Sequence, residues 1–151
     1  MVKVKLKIFY SCCLLFSTLI CGASDISMHT FKPDYPEAPN RTFIQNYKDM
    51  VFAHCITKAY KDSDEVGKDA GSSVGVLRQW IDYDMNESID EEIRLVNSYL
   101  SRDYFNPLAE SEVKGLKFDF LKCLDLYHSK ELDKLAKKVV PYPQRKANQG
   151  Y

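Results

Sequence analysis

Beyond residue 40, apolar residues recur every three to four positions, which is the spacing of helices that bury one face. No stretch shows the strict alternation of apolar and polar residues that a half-buried strand requires. The pattern therefore predicts an all-α fold, a single compact bundle of about five helices. The predicted helices cover residues 41–61, 69–84, 88–102 and 111–129, followed by a short fifth helix between Ser129 and Pro141.

The predicted helix at 111–129 is apolar on more than one side. At 3.6 residues per turn, its main apolar stripe fills an arc of about 100°. Phe118 and Leu126 fall outside this arc, so a second side is apolar as well. Such a helix is typical of the centre of a bundle or of contact with a second chain. The stripe consists of Val113, Leu116, Phe120, Cys123, Leu124 and Tyr127.

Local signals indicate where several helices begin. Asn40 or Thr42 is available as the N-cap of the first helix. Ser88 and Glu91 have the spacing of a capping box, which predicts the start of the third helix. Residues 61–69 are polar and are predicted to connect the first two helices.

The first 23 residues have the three parts of a secretory signal peptide. Three lysines precede an apolar run at 8–20, and small residues at 21–23 form a cleavage site. The run is shorter than the roughly 20 residues of a membrane anchor. Residues 1–23 are therefore predicted to direct export and to be removed, which leaves no membrane segment. A lipoprotein acylated at Cys21 is the alternative.

The remaining chain divides into three parts. Residues 24–40 hold three prolines without helical periodicity and are predicted to form a Pro-rich spacer. Residues 41–144 form the predicted helical domain. Residues 145–151 follow Pro141 and Pro143 and are predicted to be a frayed C-terminal tail.

Removal of the signal peptide leaves two of the five cysteines, Cys55 and Cys123. In an exported protein, two cysteines favour one disulfide, which here would contribute roughly 4 kcal/mol to stability by the chain-entropy model. The alternatives are a metal pair with His54 and His128, a catalytic thiol, and free buried thiols. Zinc is disfavoured because neighbouring side chains on a helix, such as His54 and Cys55, diverge by about 100°.

Charge and motifs give no sign of catalysis. The chain has 21 basic and 21 acidic residues, so it has no bias toward nucleic acid. His54 lies on an apolar helix face, as a hydrogen-bonded core histidine does, and His128 ends a helix, where a cation suits the dipole. There is no HExxH motif, Gly-rich phosphate loop or ordered catalytic triad. No catalytic, metal or cofactor site is predicted.

Two kinds of surface are suited to contact. Gly71 and Ser72 lie on a smooth side of the second helix, which permits close approach by a helix of this chain or of a partner. The turns at 83–86 and 104–106 carry aromatic and amide groups beside acids, a mixture favoured at recognition surfaces. Tyrosines near turns are equally common at the edge of a core.

Four segments carry a resemblance to a known family: FAHCITKAY, KDAGSSVGVLRQW, YLSRDYFNPLAESEVKGLK and FDFLKCLDLYHSKELDK, at residues 52–60, 68–80, 99–117 and 118–134. Together they resemble the immunity proteins of type VI secretion amidase effectors, the fourth Tai family. The resemblance covers about residues 42–144, nearly the whole predicted helical domain.

The resemblance implies a small all-helical periplasmic protein that binds and inhibits a cognate amidase effector and catalyses nothing. Such an effector is a Cys/His peptidase that cuts the γ-D-glutamyl–diaminopimelate bond of peptidoglycan, and the immunity protein blocks its cleft as a homodimer. This protects the producing cell from intoxication by sister cells. The partner-binding candidates are Gly71, Ser72, Tyr83, Asp84, Asn86, Tyr104, Asn106, Glu110 and Glu112.

Two other functions remain open at the level of the sequence. One is a helical periplasmic enzyme that uses His54 or His128 with nearby carboxylates. The other is a periplasmic adaptor with a different partner. Activity of the purified protein on peptidoglycan fragments distinguishes the first, and failure to bind any amidase distinguishes the second.

Overall fold

The computed structural model describes residues 34–149, and the predicted signal peptide lies outside them. The described part contains six α-helices and no β-strand, so the all-α prediction is confirmed. None of these helices has the length and apolar character needed to cross a membrane. The helices are α1 (Phe43–Ala59), α2 (Asp64–Arg78), α3 (Met85–Leu100), α4 (Pro107–Glu112), α5 (Asp119–Tyr127) and α6 (Lys130–Val139).

Helix α1 lies at the centre of the bundle and packs against α2, α3, α5 and α6. Its N-terminus is a capping box: Thr42 Oγ1 accepts from the amide of Gln45, and Gln45 Oε1 accepts from the amide of Thr42. This confirms Thr42 rather than Asn40 as the cap, and it supplies acceptors to amides that have no partner inside the helix. The buried apolar side chains of α1 are Phe43, Tyr47, Met50, Val51 and Cys55.

The disulfide prediction is confirmed. Cys55 of α1 and Cys123 of α5 are bonded, with their Cα atoms 5.7 Å apart and both residues fully buried. The two bonded cysteines are 68 positions apart in the chain. The disulfide fixes α5 against the central helix, and α5 also buries Leu126. Helices α3 and α6 complete the core with Val96, Tyr99, Leu132, Leu135, Ala136 and Val139.

The predicted starts of the second and third helices are wrong. Helix α2 begins at Asp64, inside the segment predicted as a connection, because two acids in its first turn favour a helix N-terminus. Helix α3 begins at Met85 because the Asp84 carboxylate accepts from the amide of Glu87 at 3.0 Å. Ser88 is therefore not a cap; it is buried inside α3, with Oγ 2.7 Å from Tyr47 Oη.

The single helix predicted at 111–129 is also wrong. Helix α4 ends at Glu112, α5 begins at Asp119, and the chain between them includes Gly115 with a φ of +72° and Phe118 with a φ of +55°. Left-handed backbone is incompatible with a continuous right-handed helix. The predicted stripe is consequently divided, and the buried face of α5 is Lys122, Cys123 and Leu126.

Both ends of the described chain contact helix α1. Ala38, in the predicted spacer, is buried and its carbonyl accepts from Asn46 Nδ2 at 2.8 Å. The carbonyl of Arg145, in the predicted frayed tail, accepts from the amide of Phe43 at 2.7 Å. Residues 38–40 and 147–149 form short 3-10 helices. The Arg145 carbonyl supplies an acceptor to an amide of the first turn of α1, which has no partner inside the helix.

Candidate partner-binding site

The predicted partner-binding residues occupy three separate places. Gly71 and Ser72 are in α2, and Tyr83, Asp84 and Asn86 are at the start of α3. The other four lie beyond the end of α3, so about 24 Å of helix separates them from the second group, at 1.5 Å per residue. The structure therefore does not unite the nine residues in one patch. The four beyond α3 are Tyr104, Asn106, Glu110 and Glu112.

Gly71 and Ser72 face different surroundings in α2. A Cβ added at Gly71 would lie 3.8 Å from Thr57 Cγ2 of α1, an ordinary packing distance. Gly71 therefore faces the neighbouring helix, as the intramolecular interpretation predicts. Ser72 is exposed on the outer side of α2.

The start of α3 is stabilised by contacts inside the bundle. Tyr83 packs edge-to-face on Tyr47 with ring centroids 5.5 Å apart, and burial raises the pKa of the Tyr83 phenol. The amide of Asp84 donates to the carbonyl of Val139, while its carboxylate caps α3. Asn86 is exposed. Two of these three residues thus have structural roles.

The connection between α3 and α5, residues 101–118, exposes several large apolar side chains. We call it the α3–α5 segment; it includes α4. Phe105 is 74% exposed and Leu108 is 80% exposed, although such side chains normally contribute to a core. Clustered apolar exposure marks contact sites in soluble proteins. Other large apolar residues exposed here or in the first turn of α5 are Val113, Leu116, Phe120 and Leu121.

Two grooves border the α3–α5 segment. The larger, about 720 Å³, lies between the C-terminal end of α1 and residues 116–121. The smaller, about 340 Å³, is lined by Tyr104, Phe105 and Asn106 opposite Phe118 and Leu121. Exposed apolar side chains therefore lie beside concave surface, an arrangement that suits a shape-complementary protein interface.

Hydrogen bonds hold this exposed segment in one conformation. Tyr104 Oη donates to Asp125 Oδ2 at 2.6 Å, which attaches the segment to α5. Asn106 Oδ1 accepts from the amides of Leu108 and Ala109 and so caps α4. Glu110 Oε1 accepts from the amide of Gly115 at 3.0 Å and closes the turn after α4. Glu112 is exposed.

The sequence-based interpretation did not select Phe105 or Leu108 as contact residues, and it placed Val113 and Phe120 on the apolar stripe of the helix predicted at 111–129. Val113 and Phe120 fit helical spacing, so the pattern favoured one shared apolar face for them. The turn signal at Asn106 and Pro107 separated Phe105 and Leu108 from the predicted helices, but their exposure depends on how the bundle packs.

The histidines are not arranged as a catalytic pair. His54 Nδ1 lies 2.7 Å from Glu92 Oε1, and Glu92 is only 3% exposed, so His54 is the partner of a buried carboxylate. His128 is exposed at the end of α5, beside the Tyr127 ring. Across residues 34–149, no cluster of three or more His, Cys, Asp or Glu side chains is arranged to hold a metal ion.

Comparison with known proteins identifies the family. The family model Tai4, described as type VI secretion system (T6SS) amidase immunity protein, matches residues 45–136, more than half of the chain. The chain belongs to the Tai4 family. A search of curated proteins gave no match.

Solved structures share the Tai4 fold. One, described under new type VI-secreted toxins and self-resistance proteins in Serratia marcescens, is 24% identical with a TM-score of 0.68, covering 81% of this chain and 96% of that one. Another, from the Tae4/Tai4 effector–immunity system of Salmonella typhimurium, is 20% identical with a TM-score of 0.59, covering 70% and 96%.

Membership of the Tai4 family decides between the functions left open by the sequence. The protein is an immunity protein for a type VI secretion amidase, and its partner is a cognate amidase effector. It is not an enzyme, so His54 and His128 have no catalytic role. The partly buried contact between His54 and Glu92 indicates a structural role instead.

Proposed function

We propose that this Tai4 protein is exported to the periplasm and inhibits its amidase effector by inserting the α3–α5 segment into the catalytic cleft. The observation that carries this proposal is the exposure of Phe105 and Leu108 on a segment that is already ordered. Occlusion requires no chemistry from the immunity protein. It requires a projecting surface that keeps substrate and water out of the cleft.

The physical advantage of this segment is its order before binding. Fixing loops and side chains at an interface opposes association, so a surface that is ordered in advance binds more tightly. The Asn106 cap and the hydrogen bond between Tyr104 and Asp125 supply that order. Phe105 is the proposed anchor, since buried aromatic side chains contribute much of the binding energy at interfaces.

The acidic residues beside the anchor have a different proposed role. Glu112 is exposed and Glu110 is partly exposed, so both lie at the rim rather than in the buried centre. Charges at a rim mainly steer encounter and suppress incorrect partners. We therefore assign the affinity to Phe105 and Leu108 and the orientation to Glu110 and Glu112.

The proposed location follows from the substrate expected of the effector. The family resemblance implies that the effector cuts the γ-D-glutamyl–diaminopimelate bond of peptidoglycan, which lies outside the cytoplasmic membrane. An inhibitor must meet the enzyme there. The basic, apolar and small-residue parts of residues 1–23 support export.

The first test is Phe105→Asp in the full domain. Placing a charge in the proposed apolar contact should accelerate dissociation from the purified effector by about thirtyfold, the scale of an interface hot spot. Binding kinetics measured on immobilised effector and residual amidase activity report the change. Tyr35→Asp is the matched control, because Tyr35 is an exposed aromatic residue outside the segment.

Equal dissociation rates for wild type and Phe105→Asp would rule out the α3–α5 segment as the insert. Reversal of both rim charges, Glu110→Lys with Glu112→Lys, tests the assigned orientation. It should mainly slow association and reduce its dependence on salt. Glu112→Lys alone separates this effect from loss of the bond between Glu110 and Gly115.

We also propose that the protein is a homodimer, as the family resemblance implies. If the α3–α5 segment binds the effector, a second exposed apolar row remains on α3, formed by Met85, Ile89 and Ile93. These residues follow one another at intervals of four and so share one side of the helix. Light scattering of wild type and Ile89→Asp tests the proposal; a monomeric wild type would contradict it.

A further inference from the structure

Among residues 34–149, Lys122 is the lysine that the fold buries. It lies in α5 and is only 5% exposed, although lysine is among the residues least often buried. Its Nζ donates to the carbonyl oxygen of Leu100 at 3.2 Å and to Asp119 Oδ1 at 2.9 Å. A buried ammonium with two oxygen partners contributes to a defined geometry rather than to solubility.

The two partners of Lys122 lie at the two ends of the α3–α5 segment. Leu100 is the last residue of α3, immediately before the segment, and Asp119 is the first residue of α5, immediately after it. The Lys122 ammonium therefore links the residue just before the segment to the residue just after it. Nearby, the Tyr104 ring lies 5.9 Å from Nζ, and its hydroxyl is bonded to Asp125 of the same helix.

We propose that Lys122 is a positioning residue that closes the base of the α3–α5 segment and so holds it in the conformation that binds the effector. This inference rests on the proposed function of the segment. The disulfide at the neighbouring Cys123 fixes α5 to α1, and Lys122 then fixes the end of α3 to α5. With both ends held, the segment has fewer conformations to lose on binding.

The test is Lys122→Met, which keeps most of the buried aliphatic stem and removes the ammonium. Lys48→Met is the matched control, because Lys48 is also partly buried and pairs with Asp133 of α6 at 2.6 Å. Hydrogen exchange of the free proteins, thermal unfolding, and dissociation from the effector are measured for both variants and for Lys122→Arg.

We expect Lys122→Met to raise amide exchange within residues 101–118 and to accelerate effector dissociation by about tenfold, the scale of a charged hydrogen bond. Lys48→Met should alter neither amide exchange at 101–118 nor effector dissociation, even if it lowers the melting temperature as much as Lys122→Met does. Lys122→Arg, which retains the cation, should restore part of the slow dissociation. If Lys122 only stabilised the fold, effector dissociation would accelerate in both methionine variants in proportion to their loss of melting temperature.

Unchanged exchange at 101–118 in Lys122→Met would overturn the inference, whatever the binding result. Increased exchange with unchanged dissociation would also overturn the positioning role, provided that Phe105→Asp weakens binding. If Phe105→Asp has no effect either, the proposed docking of the segment has failed, and the positioning role fails with it. The two variants together therefore identify which step is wrong.

Discussion

Polar contacts between helices join residues that are far apart in the chain. Tyr47 and Ser88 are joined at 2.7 Å between their oxygens, and burial strongly raises the pKa of the Tyr47 phenol. His54 meets Glu92 at the same distance. The position of His54 on an apolar face predicted a core histidine with a partner, but not which carboxylate, since pairing across 38 positions depends on how α3 packs against α1.

His54→Ala should destabilise the domain by about 2–4 kcal/mol, because it leaves the buried Glu92 carboxylate without its partner. His128→Ala is the matched control: this histidine is exposed, and its removal should change stability by less than about 0.5 kcal/mol. Urea unfolding followed by circular dichroism measures both. Similar midpoints for the two variants would contradict a structural role for the contact between His54 and Glu92.

Among the elements, local signals succeeded where one residue determines a boundary. Thr42 begins α1 and Ser129 begins α6, each with its side chain accepting an amide of the first turn. The helix prediction failed at residues 111–118. Their apolar spacing is compatible with a helix, but Gly115 and Phe118 adopt left-handed backbone conformations. Val113 and Leu116 were assigned to this helix, which the chain does not form, whereas Phe105 and Leu108 lay in the predicted connection before it.

The disulfide is the element-scale contact with the clearest energetic consequence. Replacing Cys55 and Cys123 by alanine together should lower the free energy of unfolding by about 4 kcal/mol, since the unfolded chain loses a long covalent loop. Denaturant unfolding of the oxidised protein and of the double variant measures the loss. The double variant should also be insensitive to reductant, whereas wild type should become less stable on reduction. Equal midpoints for the oxidised protein and the variant would contradict this stabilising role.

At the scale of the whole molecule, the helical class and the disulfide followed from periodicity and from the cysteines left after predicted export. The location of the candidate site did not follow from the sequence, because exposure is a property of the packed bundle. Phe105 is apolar in any conformation, and only the arrangement of α3, α4 and α5 makes it project. The nine residues selected from turns and smooth faces are consequently spread over three places rather than one.

Protection of a cell should require export as well as binding. A chain that lacks residues 1–23 retains the domain that carries the proposed contacts, but it stays in the cytoplasm, where the two thiols remain reduced. Cells that make this truncated chain should therefore lyse when the effector is delivered to the periplasm, while cells with the full chain survive. The oxidised, purified truncated protein should still inhibit the effector, which separates failure of location from failure of binding. A truncated chain directed to the periplasm by an unrelated signal peptide is the control and should restore survival. Protection by the cytoplasmic chain would contradict the proposed site of action, because an inhibitor on the other side of the membrane cannot occupy the effector's cleft.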